Sequence, residues 1–407
     1  MLVLSRNYPN EVIPQLGLWV EGLVRHLGRV CETRVIAPVP YCPPLPGFSA
    51  YTRFRRIPSA DQVNGIEVMH PRFLTGPGYS LHSLEASTYY WGIRHRVEQL
   101  RRKFPFDLIH AHFSYPDGVV AARLGRQYRL PVVITEHAPW LPWMEEYPRV
   151  RHQAMWASAE CSYHIAVSRY VRDTVVHFTG ETKKLHVIPV GVDGSVFTAC
   201  ENGQGPLMNQ VLFVGAIRPV KGLDILIKAM RLLSDRGRKL KLLVVGESFY
   251  QSYRREYQRI QQMVHELRLT RHVEFVGRKS PSEIVQYLHQ SALLVLPSRA
   301  ESFGAVLVEA LVCGTPVLAT RCGGPEDIVT DDVGVLVTPE DERALAEGIE
   351  HIIRHRSAYD ATRLRQYALQ RFSWEKIVND TVCVYREALD VSGSEEARRY
   401  CQSVAEA

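Results

Sequence analysis

The chain has 407 residues, of which 46% are hydrophobic and 23% charged, and this composition predicts two or three folded domains and excludes a largely disordered protein. No uninterrupted apolar run approaches the roughly 18 residues needed to cross a bilayer. The amino-terminal apolar run ends after four residues at Ser5, so it predicts a first strand and not a signal peptide. We therefore expect a cytoplasmic protein, either free or attached peripherally to the inner face of the membrane.

The net charge of +6 is concentrated in the first half, where residues 1–190 carry 22 Lys and Arg against 15 Asp and Glu. Arg53, Arg55 and Arg56 form one basic cluster, and a second follows Trp91 on a predicted helix that ends at Lys103. An anionic membrane surface or a lipid diphosphate would suit such clusters. A solvated helix face is the alternative. We expect no nucleic-acid partner.

In the first half, short apolar segments alternate with helical patterns. The segments predict buried strands at 2–5, 33–39, 106–112, 131–137 and 163–168. This alternation predicts a doubly wound α/β domain over residues 1–191. The run VIPVGVDGSVF then leads into a Gly-, Pro- and Asn-rich stretch, which predicts a linker.

A second alternating series begins at Val211 and predicts another doubly wound domain, over residues 207–372. Its strand segments are VLFVGA, LKLLVVG, VEFVG, ALLVLP, PVLAT and GVLV. Two such domains joined by a linker would face each other across a cleft. Helical spacing of apolar residues predicts a last helix over 373–390, and residues 391–407 form a polar tail.

The most informative motif is ESFGAVLVE, which starts at Glu301 and ends at Glu309. It follows one buried strand and precedes another, so its loop should lie at the carboxyl edge of a parallel sheet, where ligands bind. The amides of Ser302, Phe303 and Gly304 would open the helix and could bind phosphate oxygens. Glu309 lies in an apolar helix and needs hydrogen-bond donors, which a ribose diol would supply. A helix-end Glu and a satisfied buried Glu are the alternative.

Two more loops carry features that would suit a phosphorylated ligand. Arg218 and Lys221 lie between a buried strand and a helix, where two cations suit a diphosphate, although a solvated loop is the alternative. Gly323 and Gly324 would let the backbone approach a ligand closely, or they form an ordinary turn.

Histidines end two strands of the first half. His110 and His112 should point to the same side of their strand, with His112 nearer the carboxyl edge. A metal site would need further ligands, for which Asp117 and Glu136 are the available residues. The chain has neither an Asp-x-Asp pair nor a G-x-x-x-x-G-K-[ST] loop. We therefore expect no metal, and neutralisation of phosphate by Arg, Lys and backbone dipoles.

Taken in order, these motifs resemble those of the retaining family-4 glycosyltransferases of the GT-B fold, over nearly the whole chain. They are HAH with EHA, VIPVGVD, Lys-Gly after the second domain's first strand, E-x7-E and the glycine pair. The segment FDLIHAHFSYPDGVVAA is most similar to members that build bacterial surface polysaccharides, such as those of teichuronic acid synthesis.

The resemblance implies a function and a last structural feature. The enzyme would move a hexose from a UDP- or GDP-linked sugar to a glycan or lipid-linked acceptor, with retention of configuration and no metal or other cofactor. The last helix would cross back to the first domain. A GT-B nucleotide-sugar 2-epimerase and a non-catalytic nucleotide-sugar sensor are the alternatives.

The resemblance also implies roles for single residues. Glu309 would bind the ribose, Glu301 the sugar hydroxyls, and Lys221 the diphosphate, assisted by the amides of residues 302–304. Catalysis would involve Glu301, His112 and Lys221, with His112 near the transferring sugar.

The resemblance implies further donor contacts, and at two of these positions the sequence departs from the family's pattern. Gly17 would allow close approach of the diphosphate, and Arg278 would lie beside the nucleobase through its backbone. Many members have an Arg where this chain has Ala216, and Arg218 is the residue available to substitute for it. The usual G-x-G after the second strand is here Gly246 followed by Glu247 and a serine.

Overall fold

The computed structural model describes residues 1–41, 43, 49–76, 81–140, 143–200, 206–247 and 254–391. The chain divides into two compact units. Unit 1 comprises Met1–Val190 and the chain from Ile377 onward, and unit 2 comprises Gly191–Lys376. The predicted linker begins inside unit 2, and its residues 201–205 lie outside the described residues. So does the predicted polar tail beyond residue 391.

Unit 1 is built on an eight-stranded sheet of order β10-β9-β8-β7-β1-β2-β5-β4, with a separate two-stranded sheet of β3 and β6. All neighbouring strands are parallel except β4 and β5. The strands are β1 (Leu2–Leu4), β2 (Arg34–Ile36), β3 (Val39–Pro40), β4 (Ala60–Val63), β5 (Ile66–Met69), β6 (Arg72–Phe73), β7 (Ile109–His112), β8 (Val132–Glu136), β9 (Tyr163–Ala166) and β10 (Leu185–Val187).

Helices cover both faces of this sheet. Leu2 and Leu4 point into the larger apolar cluster, whereas Val3 points into the smaller one on the opposite face, as the two-residue period of a strand requires. The helices are α1 (Leu18–Leu27), α2 (Glu85–Lys103), α3 (Val119–Tyr128), α4 (Trp143–Glu146), α5 (Pro148–Glu160) and α6 (Arg169–Thr179). Residues of α2, α3 and α5 fill the larger cluster, and residues of α1 fill the smaller one.

Unit 2 is a six-stranded parallel sheet of order β13-β12-β11-β14-β15-β16. Its strands are β11 (Leu207–Val214), β12 (Lys241–Val245), β13 (Val273–Gly277), β14 (Ser291–Leu296), β15 (Val317–Thr320) and β16 (Gly334–Val337). Its helices are α7 (Leu223–Asp235), α8 (Arg254–Glu266), α9 (Pro281–Gln290), α10 (Ala305–Val312), α11 (Glu342–Arg354) and α12 (Ala361–Phe372). Both units are thus doubly wound α/β, as the alternation predicts.

The last helix, α13 (Trp374–Val391), begins in unit 2 and continues in unit 1 from Ile377. Within unit 1 it contributes Tyr385, whose hydroxyl lies 2.6 Å from Nδ1 of His110. Among the described residues, no helix combines the length and the apolar character needed to cross a membrane.

Unit 1 also contains an antiparallel hairpin that the alternating pattern did not predict. β4 pairs with β5 across Asn64 and Gly65, which both have positive φ, 49° and 81°. An Asn-Gly pair of this kind is the strongest local signal for a two-residue hairpin turn. The predicted strand at 33–39 is in fact two strands, β2 and β3, which belong to different sheets.

Candidate functional site

The loop after β14 carries Glu301, and the loop after β15 carries the glycine pair. Glu301 lies in the loop, as predicted, and α10 begins four residues later. The N–H of Glu301 donates to the Cys322 carbonyl at 3.1 Å, and the N–H of Gly324 donates to the Glu301 carbonyl at 2.8 Å. The two loops therefore join at the carboxyl edge of the sheet.

The glycine pair is engaged within the protein. Besides the bond from Gly324, the N–H of Gly323 donates to the Glu326 carboxylate at 3.0 Å. The Gly323 amide therefore closes the turn after β15, and the Gly324 amide joins this turn to the loop after β14. This geometry fits the alternative of an ordinary turn.

Lys221 ends a single 3-10 turn, Pro219–Lys221, between β11 and α7. Its Nζ lies 2.5 Å from Oε2 of Glu301, and the two side chains are 24% and 13% exposed. The next residue, Gly222, has φ of +64°, and a Cβ there would lie 1.9 Å from the Pro297 carbonyl oxygen. Glycine therefore lets this turn pack against the loop after β14 and brings Lys221 to Glu301.

Arg218 precedes the same turn. Its backbone is extended, its carbonyl accepts a hydrogen bond from the N–H of Lys221 at 2.9 Å, and its side chain is exposed. The structure therefore brings the two predicted cations to one turn.

Glu309 lies in the second turn of α10, between the buried residues Val308 and Ala310. Its side chain is only partly exposed, and burial raises the pKa of its carboxyl to about 7. No described side chain or backbone N–H donates a hydrogen bond to this carboxylate. An unpartnered carboxylate in an apolar helix gains free energy from a ligand that supplies donors.

Ser302, Phe303 and Gly304 lie between Glu301 and the first residue of α10. The Phe303 ring is 4% exposed and packs edge-on against Phe372 at 5.8 Å between ring centroids. Gly304 caps α10 with φ of 98°, and Ser302 is partly exposed. The groups of this stretch that can donate hydrogen bonds to a phosphate are therefore its backbone amides and the Ser302 hydroxyl.

Arg278 directly follows β13, at the same edge of the sheet. Its backbone N–H lies 3.4 Å from Oε1 of Glu247, which follows β12. The backbone amide expected beside a nucleobase is thus already used between two loops, while the Arg278 side chain is exposed. The serine after Glu247 lies outside the described residues.

In unit 1 the two histidines of β7 lie side by side, and the ring of His112 stacks on that of His137. The His110 and His112 rings are 4.4 Å apart, on the same side of the strand as predicted. His110 binds Tyr385 through Nδ1 at 2.6 Å and Thr135 through Nε2 at 2.7 Å. His112 Nδ1 lies 2.8 Å from His137 Nε2.

His112 is fully buried, and its Nε2 has no hydrogen-bond partner among the described residues. Burial lowers the pKa of His112 well below its usual range and that of His110 to about 3. Both rings are therefore neutral near pH 7. The sequence could not reveal His137 as the partner of His112, because their contact depends on the β7–β8 register.

The two carboxylates considered as metal ligands are bound by the protein itself. The Glu136 carboxylate accepts hydrogen bonds from the Ser114 hydroxyl at 2.7 Å and from the Trp140 indole at 3.0 Å. Asp117 accepts one from the Arg6 backbone N–H at 2.8 Å, and burial raises its pKa to about 7. The described part of the chain holds no group of three His, Cys, Asp or Glu arranged for a metal.

Gly17 caps α1 with φ of +65°. A Cβ at this position would lie 1.9 Å from the Asn7 carbonyl oxygen. Glycine is therefore required for the close packing of the loop after β1 against the start of α1.

Comparison with known proteins identifies the family. Residues 205–371 match the model of glycosyl transferases group 1, and residues 19–195 match that of glycosyltransferase family 4. An uncharacterized glycosyltransferase of Methanocaldococcus jannaschii is 32% identical over 289 residues, which are 70% of this chain and 76% of the relative. The chain belongs to the glycosyltransferases.

Solved structures resemble this glycosyltransferase over nearly its whole length. The sucrose-phosphate synthase of Thermosynechococcus elongatus is 21% identical with a TM-score of 0.77, covering 96% of this chain and 99% of its own. Anabaena HepE in complex with UDP-glucose is 22% identical with a TM-score of 0.69, covering 97% and 99%. The glycosyltransferase therefore has the GT-B fold, built from two Rossmann-like α/β domains. These comparisons favour neither an epimerase nor a sensor.

Proposed function

We propose that this glycosyltransferase moves a hexose from a nucleoside-diphosphate sugar to a glycan or lipid-linked acceptor, with retention of configuration and without a metal. The observation that carries the proposal is the placement of Lys221, Glu301 and Glu309 on neighbouring loops and helix turns of unit 2. A cation, a loop carboxylate and an unpartnered helix carboxylate match the three chemical parts of such a donor.

Each part of the donor has a suitable partner. Lys221 is a point charge for the diphosphate, and Arg218 adds a second cation at the same turn. The amides of Phe303 and Gly304 lie at the start of α10, where the helix dipole favours phosphate oxygens. The ribose hydroxyls would donate to Glu309, and the sugar hydroxyls to Glu301.

The family motifs support attack on the same face as the departing diphosphate. In that reaction the acceptor oxygen forms the new bond to the anomeric carbon as the bond to the diphosphate breaks, and the departing phosphate oxygen takes the acceptor's proton. The protein then has to position the reactants and stabilise the charge that develops on the diphosphate. We assign the stabilisation of this charge to Lys221. The neutral His112 would make a hydrogen bond near the transferring sugar.

The nucleotide and the pathway are proposed from relatives. HepE, which shares the fold, was solved with UDP-glucose, so a UDP-linked sugar is our first choice and a GDP-linked sugar our second. The segment from 106 to 122 supports a role in bacterial surface-polysaccharide synthesis, with teichuronic acid as one example.

We also propose that unit 1 binds an anionic membrane that presents a lipid-linked acceptor. On α2, Trp91 is 58% exposed, and the Arg94 guanidinium lies 4.1 Å from the centre of its ring. Arg102 and Lys103 are exposed at the end of the same helix. An exposed indole beside cations is typical of a surface that binds anionic lipid headgroups.

Flotation with vesicles tests the membrane proposal. Vesicles that contain phosphatidylglycerol should carry the wild-type protein upward at low salt, and the double variant Trp91→Ser, Arg94→Glu should bind less. Arg238→Glu, an exposed arginine of unit 2, is the matched control. Equal flotation of the wild type and the double variant would contradict membrane binding by this surface.

A transfer assay tests the function as a whole. Purified protein is incubated with UDP- and GDP-linked hexoses and a membrane extract or defined lipid-linked glycan. We expect acceptor-dependent release of nucleoside diphosphate and, by NMR of the product, the same anomeric configuration as in the donor. Inversion at the anomeric carbon would contradict retention, and conversion of the donor to a 2-epimer without acceptor would contradict transfer.

A further inference from the structure

Arg299 lies on the loop after β14, two residues before Glu301, and contacts the turn that carries Lys221. Its backbone N–H donates to the Val220 carbonyl at 2.8 Å. Its Nη1 donates to the Pro219 carbonyl at 2.6 Å. The backbone and side chain of one residue therefore hold two consecutive carbonyls immediately before Lys221.

The same guanidinium also binds the far side of this turn. Its Nη1 and Nη2 lie 2.9 and 3.0 Å from the two carboxylate oxygens of Asp224, in the first turn of α7. Its Nε lies 2.6 Å from Glu340. Lys221 thus lies between Pro219 and Asp224, two residues that the Arg299 side chain holds at fixed positions.

Charge complements this geometry. Burial alone would raise the pKa of Asp224, but the hydrogen bonds and charge of Arg299, with those of Arg259, lower it below its ordinary value. The hydrogen bond with Asp224 in turn raises the pKa of Arg299. Both groups are therefore charged over the physiological range. A planar guanidinium can make all these bonds at once, whereas a lysine ammonium cannot match the carboxylate with a two-pronged contact.

We infer that Arg299 is a positioning residue for donor recognition: it fixes the Pro219–Asp224 turn so that Lys221 is aimed at the diphosphate. This inference rests on the proposed function and adds to it. Arg299 itself touches no part of the donor in this account. Its contribution is to reduce the conformational freedom that the turn would lose when the diphosphate binds.

Nucleotide binding by a small set of variants tests the inference. Isothermal titration compares the wild type with Arg299→Ala, Arg299→Lys, Lys221→Ala and the double variant Lys221→Ala, Arg299→Ala. The probes are the member of UDP, GDP, ADP and TDP that stabilises the wild type most, and the matching nucleoside monophosphate. Arg238→Ala, which breaks an exposed ion pair with Glu350 in the same unit, is the matched control.

Arg299→Ala should weaken binding of the diphosphate about tenfold, the size of effect expected when the charge-assisted contact of a misplaced Lys221 with the diphosphate is lost. Binding of the monophosphate should change by less than about twofold, because Lys221 serves the diphosphate and not the nucleoside. The double variant should bind no more weakly than Lys221→Ala alone, since the turn then has no lysine to aim. Arg299→Lys should behave like Arg299→Ala. It replaces the alanine variant in the comparison if that variant does not fold.

Equal weakening of both nucleotides, additive losses in the double variant, or unchanged binding by both Arg299 variants would overturn the inference. Unchanged binding by the Arg299 variants together with weak binding by Lys221→Ala would leave the proposed function standing. If the wild type binds none of the four diphosphates, the proposed function fails and the inference fails with it.

Discussion

Lys221 Nζ lies 2.5 Å from Glu301 Oε2, so the residues assigned to the diphosphate and to the sugar hydroxyls form an ion pair with each other. A bound donor would insert between the partners: the diphosphate would take the cation, and the sugar hydroxyls would donate to the carboxylate. The pair therefore keeps both charges compensated in the free protein and competes with the donor for each of them.

Glu301→Gln should separate these two effects. Without the carboxylate, Lys221 has no ion pair to give up, so the nucleoside diphosphate should bind more tightly, by up to about fivefold for a pair worth at most about 1 kcal/mol. Transfer should fall, because the sugar hydroxyls lose a charged acceptor. Titration calorimetry and initial rates measure the two quantities.

Glu350→Gln is the control, because this carboxylate binds Arg236 and Arg238 at the surface of the same unit. It should change neither nucleotide affinity nor rate. Weaker binding of the nucleoside diphosphate by Glu301→Gln would contradict competition between Glu301 and the phosphate for Lys221.

Glu309 should make the stability of the free protein depend on pH. Burial raises its pKa from 4.5 to about 7, so between these values the folded protein binds more protons than the unfolded chain. This contribution to stability is present at low pH and is lost as the pH rises through about 7. As the pH rises over this range, the free energy of unfolding of Glu309→Gln should therefore increase relative to that of the wild type. The increase should reach up to about 3 kcal/mol, at about 1.4 kcal/mol per pKa unit.

Urea unfolding of both proteins at pH 5 and pH 8, without nucleotide, measures this difference. Glu326→Gln serves as a comparison, since the Glu326 carboxylate already accepts the Gly323 amide and its removal should destabilise the protein at both pH values. The same change with pH in wild type and Glu309→Gln would show that Glu309 is not the titrating group.

His112→Ala should reduce transfer by about 100-fold, the loss typical when one well-placed hydrogen-bonding group is removed from a transition state. Affinity for the nucleoside diphosphate should stay within about twofold, because His112 is assigned to the sugar and not to the phosphate. Rates and calorimetric affinities test the two expectations separately.

Tyr385→Phe is the matched variant for this experiment. It removes the hydrogen bond to His110, whose ring lies 4.4 Å from that of His112. We expect about 1 kcal/mol lower stability, as for one buried neutral hydrogen bond, with transfer much closer to that of the wild type. A rate for His112→Ala equal to that of Tyr385→Phe would reduce His112 to a packing role.

Much of the fold follows from the sequence, because its buried strands are short apolar runs separated by helical patterns. The exceptions have local causes. The hairpin at Asn64 and Gly65 interrupts the alternation of strand and helix, although its turn dipeptide is visible in the sequence. The segment at 33–39 has one apolar pattern but contributes to two sheets, and no periodicity reveals a change of partner.

For the candidate site, the sequence predicts which residues matter better than what they touch. Lys221 and Glu301 are 80 residues apart, and their contact depends on the close packing that Gly222 permits against Pro297. The histidine pair depends likewise on strand register, which places His112 opposite Thr135 and near His137. Such contacts arise from packing between elements, which a linear pattern does not encode.

Lys221 and Glu309 are proposed to form a nucleoside-diphosphate site in unit 2. The most direct measurement is the shift in melting temperature of the wild type, Lys221→Ala and Glu309→Ala with UDP, GDP, ADP and TDP. We predict that one diphosphate, UDP in our first choice, raises the melting temperature of the wild type and has little effect on either folded variant. An equal shift in all three proteins, or no shift of the wild type with any of the four, would show that Lys221 and Glu309 do not form this site.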